Sequence, residues 1–122
     1  MISSARRFIA SHLSGVPWRV YTFKPDDIEG PPAIVVDRPT LSLDVQLVTL
    51  AVPVVIIGRR DGTEEAQVEL DDAVDVVLAA LAGPDLAIVR VEPAVSTVAE
   101  LTYPAYRVTV TAGVVACMGD TQ

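Results

Sequence analysis

Few side chains in this sequence are of the kinds that make or break bonds. There is one histidine, His12, and one cysteine, Cys117. A Ser-His-Asp triad needs three side chains to converge, and the sequence has no Gly-x-Ser-x-Gly elbow to expose a nucleophilic serine. His12 reads as a surface or capping residue near the C-terminal end of a helix, where a cation is favoured. Cys117 has no second cysteine for an internal bridge and too few companions for a tetrahedral metal set, so it reads as a buried or tail thiol. Asp26, Asp27 and Glu29 lack the Asp-x-Asp-x-Asp-Gly spacing that wraps calcium and read as a solvated acidic loop. Lys24, the only lysine, follows no glycine-rich strand-to-helix turn, so no phosphate cradle is present. No catalytic residue, cofactor or metal is expected, and the chain reads as non-enzymatic.

The sharpest polar cluster is Arg59-Arg60-Asp61-Gly62. Two guanidinium forks on a tight turn can grip a neighbour's carboxylates through bidentate hydrogen bonds. Arg59, Arg60 and Asp61, with Asp26 and Asp27 of the acidic loop, are therefore the candidate subunit contacts.

Composition narrows the class of partner. The 122 residues carry 9 cationic and 16 anionic side chains, for a net charge of -7. Non-specific nucleic-acid binding draws on cations, so DNA and anionic membrane are poor partners. The most apolar stretch, 47–57, is 11 residues long and holds Thr49 and Pro53, well short of the roughly 20 residues a membrane helix needs. Two arginines near the N-terminus precede no apolar core of a signal peptide, and the chain reads as unprocessed and intracellular. At 51% apolar, it can bury a core without disulfides or metals, as one domain over 1–122.

Periodicity supplies the elements that position these groups. Residues 3–14 read as a helix capped by Ser3 or Ser4, with Ala5, Phe8, Ile9 and Leu13 on one face, Arg6 and Arg7 pointing outward, and Gly15 and Pro17 as the stop. Residues 16–23 alternate as a first strand, with Val16, Trp18, Val20 and Thr22 on one side and Arg19, Tyr21 and Phe23 on the other. Residues 24–32, with three prolines, a glycine and three carboxylates, read as an exposed loop that packs no core. A short strand follows at 33–37.

Residues 41–57 form a long strand. It alternates at Leu41, Ser42, Leu43, Asp44, Val45, Gln46 and Leu47, then becomes apolar on both faces. Pro53 places a bulge, bend or edge in it and can divide it in two. Thr63 caps a helix to Ala82 whose stripe is Ala66, Leu70, Ala73, Val74, Val77, Leu78 and Leu81, with Asp71, Asp72 and Asp75 outside. Two antiparallel strands at 86–98 and 103–115 complete an α+β fold: a mixed, mainly antiparallel β-sheet with two helices packed on one face. Valine, isoleucine and threonine make up 37 of the 122 residues, which favours sheet over bundle.

This order of elements resembles the tail terminator proteins of long-tailed (siphovirus-type) bacteriophages. The likeness spans nearly the whole chain. It rests on the helix ending at Gly15-Val16-Pro17, the strand at 41–57, the helix carrying Ala66-Gln67 and Leu70-Asp71-Asp72-Ala73-Val74, and the strand with Tyr103-Pro104-Ala105-Tyr106-Arg107-Val108. The resemblance implies a homo-oligomer, a hexameric ring that caps the tail tube in the virion, stops tube polymerisation, and docks a neck or head-completion protein. DNA passes its bore without specific binding, and an acidic chain suits a channel lined by its carboxylates. Two alternatives remain: a head-to-tail joining protein of the neck, and a small intracellular ligand-binding or regulatory subunit with a pocket between sheet and helices. If the arginine turn joins copies, reversing charge at Arg59 and Arg60 weakens ring formation. Light scattering checks this, and an unchanged particle mass refutes it.

Overall fold

The computed structural model describes residues 2–23, 25–28, 30–43 and 47–115. Lys24, Glu29, positions 44–46 of the alternating stretch and Cys117 lie outside the described residues. The chain runs α1 (Ile2–His12), β1 (Arg19–Tyr21), β2 (Ala33–Val36), β3 (Thr40–Leu43), β4 (Leu47–Ile57), α2 (Glu64–Leu81), β5 (Ala87–Val98) and β6 (Leu101–Val115). All six strands join one sheet, ordered β1-β2-β4-β6-β5, with β3 also paired to β4. Only β1 and β2 run parallel; the other pairs are antiparallel. This is the expected α+β architecture.

β4 is apolar on both faces because both are covered. Leu50, Val52, Val54 and Ile56 point to the helices and are buried with Ile9 and Leu13 of α1 and Leu70, Ala73, Val74, Val77 and Leu81 of α2. Both helices thus pack on one side. Val55 and Ile57 point the other way and join Ile28, Ala33, Val35, Val98, Tyr103 and Ala105 in a second cluster. Each large aliphatic side chain so buried contributes about 1.5–3 kcal/mol.

That second cluster corrects the reading of 24–32 as a loop that packs no core. Pro25, Ile28 and Pro32 are buried, and Ile28 closes over the side of the sheet that the helices leave open. Two of its acids stay outside: Asp26 and Asp27 are exposed, and Asp27 Oδ1 accepts from the Ile28 amide at 2.8 Å.

Pro53 occupies the middle of the sheet and not its edge. Its carbonyl accepts from the Asp37 amide at 2.9 Å, and its own nitrogen has no hydrogen to return. β2 therefore ends at Val36, and β3 takes over the same flank of β4 from Thr40 onward; the stretch 41–57 is thus not one long strand but two, β3 and β4, paired antiparallel, and β4 runs unbroken through Pro53. The first strand is shorter than the 16–23 expected, although its alternation holds: Trp18 and Val20 pack towards the helices and Tyr21 towards the second cluster.

In α2 the cap is as expected, with Thr63 Oγ1 accepting from the Ala66 amide at 3.1 Å, and the helix ends at Ala82. A Cβ on Gly58 would come within 3.2 Å of the Leu70 side chain, so glycine there lets α2 close onto the end of β4. β5 and β6 meet at a two-residue turn in which Ala99 and Glu100 both take positive φ, 52° and 68°, the twist-matched hairpin geometry.

α1 departs from its expected details. It begins at Ile2, so Ser3 and Ser4 lie inside its first turn and neither is the cap. Phe8 is 44% exposed and meets the His12 ring edge-on at 4.8 Å, so the buried stripe is narrower than expected. His12 Nδ1 donates to the Phe8 carbonyl at 3.0 Å, near the helix C-terminus. Arg6 does not point outward: its guanidinium donates to the Val36 carbonyl from Nε and Nη2, at 3.3 and 3.2 Å, and to the Thr22 carbonyl. One cation thus ties α1 to β2 and to the chain just past β1. Arg6→Ala is expected to lower stability by about 1–3 kcal/mol by stranding these carbonyls, read as a lower urea midpoint, with Arg6→Lys recovering only part because an ammonium lacks the fork.

Candidate interaction surface

The five residues singled out from sequence lie in two segments that flank the second apolar cluster. Ile28, next to Asp27, and Tyr103, beneath Arg60, both belong to that cluster. Arg59 Nε donates to Glu69 Oε1 at 2.8 Å, and Arg59 Nη1 lies 3.3 Å from Asp61 Oδ2. With all three side chains more than a third exposed, water screens these pairs and each is worth about 0.2–1 kcal/mol. Arg60 Nε donates to the Thr102 carbonyl at 3.1 Å, and its guanidinium sits 5.8 Å from the Tyr103 ring centroid. Both arginines have partners within their own chain. Neither Asp26 nor Asp27 forms an ion pair with them among the described residues.

The arrangement of charge over the sheet is more distinctive than this turn. α2 carries Glu64, Glu65, Glu69, Asp71, Asp72 and Asp75 and no cationic residue. Glu64 and Glu65 are favoured at its positive N-terminal end; the others follow because the exposed flank has no apolar role. The opposite side of the sheet holds Arg19, Arg90 and Arg107: Arg19 pairs in register with Ala33, and Arg107 with Val55 and Glu92. Arg90 and Glu92 approach to 3.8 Å. α2 thus presents an anionic flank, while Arg19, Arg90 and Arg107 lie on the other side of the sheet together with Glu92.

Two recesses mark the surface. An open cleft of about 560 Å³ is walled by Trp18 and Val68 and rimmed by Glu64, Glu65, Glu69 and Asp72. Trp18 is half-buried and packs partly on the main core. A smaller recess of about 190 Å³ on the helix-free side includes Asp37, Ser96 and Arg107. Among the described residues, no three or more His, Cys, Asp or Glu side chains are grouped to hold a metal ion. The cleft's carboxylates ring an apolar floor without converging on a point. That suits a broad organic cation or an apolar group flanked by one, since an indole face attracts guanidinium and ammonium.

Sequence reasoning placed Trp18 with Val16 and Val20 on one face of the first strand and missed its role in a cleft. The α2 period does put Glu65, Val68 and Asp72 on one flank, but nothing local says that Trp18 lies against it.

No family model and no curated protein matches this chain. Among the described residues, no helix is long and apolar enough to cross a membrane.

Trp18 is the only tryptophan, so its fluorescence reports on the cleft. Relative to a free tryptophan amide, iodide quenching is expected to be suppressed more than caesium quenching at low salt. The gap should close as salt approaches 1 M, where screening shortens to about 3 Å. Equal suppression of both ions throughout would contradict an anionic rim.

Proposed function

We propose that this chain is a structural assembly subunit of the tail-terminator type, which joins copies of itself into a ring at the end of a phage tail tube. The ring halts tube growth, presents a docking surface to a neck or head-completion protein, and lets DNA pass unbound. The observation that carries this reading is the placement of charge: α2 is anionic with no cationic residue, while the cations Arg19, Arg90 and Arg107 lie on the opposite side of the sheet. Complementary patches on different parts of a subunit make heterologous contacts, which close into a ring when the rotation between copies is a whole fraction of a turn.

Further support comes from what fills the interior. The space between sheet and helices is occupied by side chains with no exposure, including Ile9, Ile34, Val54, Ile56, Val77 and Val108. That packing favours association through the outer surface over a ligand held between sheet and helices. The net charge of -7 per copy opposes adhesion of DNA to a ring wall.

Loss of the gene is expected to give overlong tails in lysates viewed by electron microscopy. Tails of normal length left unattached to heads would replace this reading with that of a neck protein.

A further inference from the structure

Resting on the ring reading, the geometry points to a specific contact between copies: the outer row of α2, with Asp72 and Asp75, lies on the bare half of the next copy's helix-free sheet face, where Arg90 and Arg107 receive it.

Only one half of that face is covered. The second cluster takes up Val35, Val55, Ile57, Val98 and Ala105. Beyond it the ladder sets Pro53 beside Thr109 and Ala51 beside Thr111, with Thr40 next to Ala51 and Arg90 next to Thr109. None of these residues is buried. A helix laid on a sheet is the ordinary second layer of such a fold, and side chains as short as these let one approach.

The β5 and β6 part of this half carries two guanidinium groups and one carboxylate. Glu92 sits opposite Arg107 in the ladder and approaches Arg90 to 3.8 Å. Arg107 forms no ion pair among the described residues, and the Arg90 side chain is 71% exposed. Asp37 lines the small recess with Arg107, but its Oδ1 accepts from the Arg38 amide at 2.8 Å. Two forks thus share a single acid, and each can bind a further carboxylate.

The outer row of α2 supplies such acids at a fitting distance. Val68, Asp72, Asp75 and Ala79 recur at helical intervals opposite the buried Ala66, Leu70, Ala73 and Val77, and all four are exposed. Asp72 and Asp75 form no ion pair among the described residues. One helical turn separates them, about 5–6 Å between Cβ atoms. Arg90 and Arg107 are diagonal neighbours on antiparallel strands, about 7–8 Å apart, a difference that long arginine side chains absorb. Val68 and Ala79 flank the acids and meet the short residues of the sheet. The two surfaces lie on opposite sides of the molecule, so each copy uses one on either neighbour, which makes the contact heterologous.

Sedimentation of the full chain over a concentration series, alone and with tube subunits, tests this. Circular dichroism checks that each variant folds. Arg90→Glu with Arg107→Glu, and separately Asp72→Arg with Asp75→Arg, are each expected to raise the concentration for half-assembly by more than about tenfold. An equal mixture of the two variants is expected to assemble again, since every contact between unlike copies then joins opposite charges. Adding Asp26→Arg and Glu100→Arg to the arginine variant restores its net charge without touching α2, and is expected to leave it dissociated. Rings that survive reversal on either side, a mixture that stays dissociated, or rescue by Asp26→Arg and Glu100→Arg overturns this contact and leaves the ring reading standing. A wild type that is monomeric at every concentration, alone and with tube subunits, overturns both.

Discussion

The whole molecule is organised by the need to bury both faces of one strand. β4 runs through the sheet with Leu50, Val52, Val54 and Ile56 on one side and Val55 and Ile57 on the other, all buried. A strand apolar on both faces is stable only between two covers. Two helices make the first cover. On the other side, which no helix covers among the described residues, the proline-rich loop closes with Ile28 over β2, while Val98 and Tyr103 at the tip of the β5–β6 hairpin complete the cluster. The unequal covers leave one side dominated by helix surface and the other by sheet surface.

Periodicity made much of this readable. The stripe on α2, its Thr63 cap, the terminal hairpin and both helices on one side follow from local spacing, because each is written in residues that are neighbours in sequence. What could not be read depends on residues that meet only after folding. Arg6 was assigned to solvent because its neighbours on the helix are polar, yet it finds two backbone carbonyls, one of them 30 residues away. Ile28 was lost among prolines and acids because one apolar residue makes no period. The turn arginines drew notice as charges; their bonds to Glu69 and Thr102 are contacts that no spacing rule reveals.

The candidate surface divides along the same line. The acids of α2 were legible as an outer helical face, and Trp18 was legible as apolar. Their juxtaposition as a cleft is tertiary. It arises because the segment between α1 and β1 is drawn against the main core while α2 lies over the same side of the sheet. A half-buried indole beside carboxylates is stable in an isolated chain, since water solvates the acids, but it leaves apolar area uncovered that a partner can remove from water.

Pro53 has a further effect, on how many residues the chain can hold between two of its strands. Along the flank of β4, Ile34 and Val36 face the helices opposite Ile56 and Val54, yet the next strand turns an odd-numbered residue, Leu41, to the same side opposite Leu50. The switch in parity is absorbed at positions 37–39, beside the proline that cannot donate. A deletion or insertion of one residue there would invert β3, sending Leu41 out and Ser42 in. This short connector, polar and unremarkable in composition, therefore tolerates changes of identity far better than changes of length.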